Sequence, residues 1–405
     1  MKALQFERSI PKFAAARLAS MIKPGNGAAR GPLSLDDMAP EVPVPGADWV
    51  RIQPRLAGIC GSDLATVDGR SSRYFESIVS FPFTPGHEVV ADLEGARVVI
   101  EPVLGCVARG ITPVCVHCAS GNLGRCDRIS FGGVSSKGVD AGLQSGFCCS
   151  TGGGWSTAMM AHRSQLHAVP TDMTDQAAVM VEPTACGIHA AFAGGDHGGV
   201  GGGAVVAVLG AGTLGLTVVA ALSKFNPASQ IIVGARYPEQ MAFARQFGAT
   251  SVVEAGALRR AVRLATKCMA IGDGDLERLT GGADVVYDCV GSTASITDSL
   301  AMVRPGGRIV LVGMPATVKV DLTSLWHREV SLVGAYAYGV EPLAGGRRTF
   351  DLAFELVASH DLGRLVGATY PLSRYTDALS HAANAGRRGT IKVAFDMREE
   401  KARNR

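Results

Sequence analysis

From Pro183 onward, short apolar runs alternate with longer stretches in which apolar residues recur at helical spacing. The pattern predicts a strand at Val205–Leu209, a helix over 215–225, a strand at 230–234 and a helix over 238–247. A strand at 284–289, a helix over 295–303 and a strand at 308–312 follow, with Gly306 and Gly307 turning the chain before the last of them. Helical spacing returns at 349–359 and 375–385. Such alternation predicts a parallel sheet with helices on both faces. Before Pro183 the style differs. Short β-branched runs at 49–52, 89–92 and 97–100 sit among glycines and prolines, the mark of an irregular β-rich domain.

The chain has 405 residues, more than one ordinary core, so two domains are expected. With 47% apolar and 19% charged residues it can bury a sizeable core. A net charge of +3 is too small to imply nucleic acid or an anionic membrane as a partner. No apolar leader is visible at the N-terminus, so a cytoplasmic, reducing setting is expected, where clustered cysteines read as metal ligands rather than disulfides. The uncharged stretch 198–223 is long enough to span a bilayer. Three glycines interrupt it, however, in a pattern that reads as strand, tight turn and helix.

Those glycines form Gly210-Ala211-Gly212-Thr213-Leu214-Gly215, a G-x-G-x-x-G string between an apolar strand and an apolar helix. That context marks a dinucleotide site. The first glycine allows the turn, the second admits a pyrophosphate and the third lets helix and strand close up. The next strand ends at Ala235-Arg236, with no carboxylate for a ribose 2′-OH. A guanidinium there suits a 2′-phosphate, so NADP is expected over NAD. Arg259, Arg260, Arg263 and Lys267, within 254–276, read as a solvated helix face rather than a second phosphate site.

Cys60-Gly61-Ser62-Asp63, Gly86-His87-Glu88 and Glu182-Pro183 supply a thiolate, an imidazole and carboxylates, the donors zinc accepts. Three protein ligands and one open position would let a cation lower the pKa of an alcohol oxygen and favour hydride loss to a nicotinamide. Cys106, Cys115, Cys118 and Cys126 fall within 21 residues and suggest a closed structural zinc site. The spacer after Cys106 is long, which leaves His117 as an alternative fourth ligand. Cys148, Cys149, Cys186, Cys268 and Cys289 read as small core residues. Trp155, Tyr336 and Tyr338 are candidates for a pocket lining, or for core.

Together these motifs resemble the zinc-containing medium-chain dehydrogenase/reductase family of alcohol, sorbitol and threonine dehydrogenases. The likeness runs from Met1 through the Gly58–Asp63 and Pro85–Glu88 motifs to Asp288-Cys289-Val290-Gly291 and Gly389–Lys392. It implies an α/β architecture: a GroES-like β-rich catalytic domain over 1–182, an inserted Rossmann doubly wound parallel sheet over 183–336, and a return segment over 337–405. By the same likeness, Cys60, His87, Glu88 and Glu182 surround the catalytic zinc, and Ser62 takes the alcohol proton. Gly210, Gly212, Thr213, Leu214, Gly215, Ala235, Arg236, Val290 and Lys392 hold the cofactor, Lys392 near the pyrophosphate. Glu182 where many members carry cysteine points to the polyol-type branch. Ala65 replaces the frequent relay histidine. The function implied is hydride transfer between a secondary alcohol, polyol or hydroxylated amino compound and NADP, or NAD, in a homodimer or homotetramer. A zinc-independent quinone or enone reductase and a non-catalytic cofactor-binding protein are the rival readings. The two metal clusters argue against the first, and Ser62 against the second.

Overall fold

The computed structural model describes residues 1–130, 138–195, 200–228 and 230–398. The start of the uncharged stretch 198–223 and the end of the return segment 337–405 therefore lie outside the described residues. The chain divides into two compact units, Met1–Glu182 with Asp361–Arg405, and Pro183–His360.

The second unit holds six parallel strands in the order Ser251–Glu254, Gln230–Ala235, Val205–Leu209, Ala283–Asp288, Val303–Leu311, Ser331–Gly334. In chain order this is 3-2-1-4-5-6, the doubly wound arrangement. The central strands are buried, so they read as continuous apolar runs rather than alternating ones. Helix Thr349–His360 packs on helix Thr213–Phe225 and buries Phe350, Leu352, Ala353, Leu356 and Val357. That packing keeps the chain in this unit until Asp361, not 337 as expected. The basic stretch forms helix Leu258–Thr266, which buries Leu258 and Val262. Arg259 there bonds to Asp298 and Glu277, and Arg260 faces solvent.

The first unit is built on a seven-stranded, mostly antiparallel sheet. Its central strand, Trp49–Gly58, pairs with Val89–Leu93 on one side and with Lys392–Asp396 on the other. The return of the chain thus completes the sheet in its middle. Trp155 is fully buried in this core, its indole N–H bonded to the Gly58 carbonyl. In the second unit Tyr338 is likewise buried, edge-on to Phe350, while Tyr336 is exposed. No described helix is long and apolar enough to cross a membrane.

Asp175 ties distant parts of the first unit together by accepting from Arg55, Arg97 and Arg398. Burial alone would raise its carboxyl pKa, but the guanidiniums of Arg55 and Arg97 outweigh it and hold it below the usual range. Because the native carboxyl is depressed, its contribution is present at neutral pH and lost as pH falls through the carboxylate range. Asp175→Asn is expected to lower the melting temperature at pH 7 and to flatten its decline below pH 5. An unchanged profile would remove Asp175 from the acid response.

Candidate active site and metal centres

The register of the central strands assembles the first cluster. Ala57 lies opposite Val89, and the Gly58 N–H bonds to the Glu88 carbonyl, so Cys60 meets His87 and Glu88 just past the paired ends. Gly86 makes the approach possible. It has φ +97°, and a Cβ there would lie 2.4 Å from Trp155 Cδ1. Cys60 caps helix Gly61–Val67, with its N–H bonded to Asp63 Oδ2 at 2.9 Å. Potential ligand atoms of Cys60, His87 and Glu88 all lie within 4.8 Å of one another.

Asp63, to which the sequence assigned no role, stands behind His87. Its Oδ1 is 3.5 Å from His87 Nδ1, and both atoms are buried without a hydrogen-bond partner. A carboxylate behind one ring nitrogen fixes the tautomer that offers the other nitrogen to a cation. Burial lowers the His87 pKa, but Asp63 and Cys60 outweigh it and raise it well above the ordinary value. The site therefore favours a positive charge, which suits a divalent ion.

Lys392 extends this balance. Its ammonium is buried and ion-paired with Glu88. Burial works against the charge, yet Glu88, Cys60 and Asp63 hold it raised. The thiolate and two carboxylates are then matched by one ammonium and a divalent cation. Strand Lys392–Asp396 pairs beside Gly58 and points the side chain at Glu88. Glu182 is buried in the first turn of helix Val181–Ala193 and stands outside the three-residue cluster. That helix, not the strand pair that aligns the others, carries it. Ser62 sits half-exposed in the first turn of helix Gly61–Val67, next to Ala65 one turn on.

The four lobe cysteines also converge, their sulfurs within 4.8 Å of one another. Backbone N–H groups of Cys106, Cys115 and Cys118 donate to the sulfurs of Cys118, Cys106 and Cys115, respectively. Burial opposes the Cys115 thiolate, but the N–H of Cys118 and neighbouring donors bring that thiol down to about 7. The long spacer folds back on itself. Ile111 N–H returns to the Cys106 carbonyl, and the Arg109 guanidinium binds the carbonyls of Leu104, Asp140 and Gly142. His117 turns toward Asp127, 3.6 Å away, so Cys106 takes the fourth position in the cluster. None of the ten cysteines is in a disulfide. Of the remaining five, only Cys148 is buried; Cys149 is half-buried and donates to Asp140.

In the second unit, Gly210 has φ +94° and ends strand Val205–Leu209, and Gly212 caps helix Thr213–Phe225. A Cβ on Gly215 would lie 1.9 Å from the Gly210 carbonyl oxygen. Beside Gly212, by contrast, there is open space. Packing explains the third glycine and leaves the second to a ligand approaching the helix N-terminus. Val290, half-exposed after strand Ala283–Asp288, lies over Gly210, since a Cβ on that glycine would come 2.8 Å from it. The sheet order reverses between these two strands, the usual place for a nucleotide. Ala235 is buried at the end of its strand, and Arg236 beyond it is exposed.

Comparison with known proteins bears on the family. Residues 46–171 match the model of the alcohol dehydrogenase GroES-like domain, and residues 213–359 match that of the zinc-binding dehydrogenases. A sorbitol dehydrogenase from Bacillus subtilis is 27% identical, over 84% of this chain and 89% of its own. An L-idonate 5-dehydrogenase from Vitis vinifera is 25% identical, over 86% and 88%. A solved zinc-binding dehydrogenase from Sinorhizobium meliloti, bound to NADP, superposes with a TM-score of 0.66 at 22% identity over 98% of both chains. The chain belongs to the zinc-type medium-chain dehydrogenase family. It is an oxidoreductase of the alcohol dehydrogenase class, acting on hydroxyl donors.

Proposed function

We propose that the protein transfers a hydride between a secondary alcohol, polyol or hydroxylated amino compound and a nicotinamide cofactor, with zinc held by Cys60 and His87 and with NADP preferred to NAD. The observation that carries this reading is the convergence of Cys60, His87 and Glu88, with Asp63 behind the imidazole. Relatives named for sorbitol and L-idonate support a polyol substrate. When bound, zinc acts as a Lewis acid on the substrate oxygen, and nicotinamide accepts the hydride.

The chain's own residues do the rest. Asp63 orients His87, and Lys392 offsets the anionic charge of Glu88. Ser62, half-exposed beside Cys60, accepts the hydroxyl proton and donates its own to water, which a hydroxyl can do in one step. The Gly210–Gly215 turn and the N–H groups of the following helix hold the pyrophosphate. Arg236 pairs with the 2′-phosphate. Glu88 and Glu182 supply the remaining protein coordination of the zinc, as the family likeness implies.

Nicotinamide absorbance tests this directly, with primary alcohols, secondary alcohols, polyols and amino alcohols offered with NADP or NAD, with and without a chelator. Chelator-sensitive turnover of a polyol is the expected result, and chelator-insensitive turnover would refute it. Arg236→Ala should lower kcat/KM for NADP by about tenfold to a hundredfold and leave NAD little changed. Equal losses with both cofactors would remove Arg236 from the 2′-phosphate.

A further inference from the structure

The helix Ile10–Ile22 lies upstream of the region that matches the dehydrogenase family, which begins at residue 46. A narrow stripe fastens it to the first unit. Ala16 and Ser20 are buried, and the Ser20 hydroxyl donates to the Asp68 carbonyl. The Phe13 carbonyl comes so near Gly69 that a Cβ there would lie 2.5 Å away. The opposite side faces out. Ile10, Leu18, Met21 and Ile22 are 67–86% exposed. At 100° per residue they fall, with Ala14, Pro11 and Ala15, on one arc of about 140° that contains no charged residue. Four large apolar side chains side by side on a surface mark a contact rather than a chance exposure.

The charge around the arc says what the contact is. Arg17 borders it on one side and Lys12 on the other, and Lys23 stands just past its end. From Arg8 to Leu35 the chain carries five cations and no carboxylate, against a net +3 for all 405 residues. Arg8 and Lys12 bond to Glu76 and Glu7, respectively. Arg17, Lys23 and Arg30 are exposed and have no ion pair among the described residues. A second copy suits this face poorly. A two-fold helix pair sets cation against cation in either direction, Arg17 toward Arg17 when antiparallel and Arg17 toward Lys12 and Lys23 when parallel, with no acid on the helix to offset them. Apolar side chains that enter the acyl boundary while flanking cations meet headgroups fit an anionic bilayer surface.

We propose that the helix Ile10–Ile22 docks the protein reversibly on an anionic lipid surface. The small net charge of the whole chain does not exclude this, because the cations are gathered where the apolar arc lies. The full chain should cosediment with phosphatidylcholine vesicles containing phosphatidylglycerol about tenfold or more better than with pure phosphatidylcholine, and added salt should weaken the difference. Leu18→Glu with Met21→Glu should abolish the binding, and Arg17→Glu with Lys23→Glu should reduce it. Both pairs lie at exposed positions, and an unchanged melting temperature shows that the variants fold. Absent binding to anionic vesicles overturns the proposal, as does binding that survives Leu18→Glu with Met21→Glu. A dimer in light scattering that the same pair dissociates, without vesicle binding, assigns the face to a second copy and overturns it too.

Discussion

Cys60→Ser should lower kcat by about three orders of magnitude or more and leave the melting temperature within a few degrees of wild type. A serine hydroxyl stays protonated near pH 7 and supplies no anionic donor, so a cation held by His87 and a carboxylate alone is weakly bound and poorly placed. The fold should tolerate the change, because Cys60 is half-buried at a helix start whose N–H bond to Asp63 does not involve the sulfur. Asp63→Asn should cost less, about tenfold to a hundredfold, because it disturbs only the orientation and basicity of His87. Steady-state kinetics with metal analysis of each variant checks both. A Cys60→Ser protein that keeps full turnover and chelator sensitivity would place the reaction elsewhere.

What could be read from the chain follows a physical rule. The doubly wound sheet was legible because its strands are buried on both faces and its glycine turn has a fixed spacing. Gly210 and Gly215 are where the backbone needs them. The cysteine lobe was legible because its ligands are close in sequence. Pairings between distant strands were not. Nothing local in Lys392 says that its strand lies beside Gly58, so its bond to Glu88 could not be foreseen. The role of Asp63 was open to inference, since a carboxylate three residues after a ligand cysteine can reach back to it, but the direction of His87 decides it. Helix Ile10–Ile22 is hard to read in the sequence for another reason. Most of its apolar residues face outward, and the buried stripe is alanine and serine, so the usual contrast between core and solvent faces is reversed.

The second cysteine cluster should respond to mutation in the opposite way from the first. Cys118→Ser is expected to release one equivalent of zinc and to lower the melting temperature by about 5 °C or more, while any protein that stays folded turns over at a near-normal rate. The sulfur of Cys118 accepts the Cys106 N–H, and the four sulfurs close a loop whose own apolar core is small. Without the fourth thiolate the metal loses a strong donor, so the lobe gives up folding free energy rather than chemistry. Cys149→Ser is the matched control. Cys149 is half-buried and bonds to Asp140 outside the cluster, so it should leave zinc content unchanged. If Cys118→Ser kept both its zinc and its melting temperature, the four-cysteine site would not be a metal centre. If it lost turnover while keeping its stability, the division between a catalytic and a structural centre would be wrong.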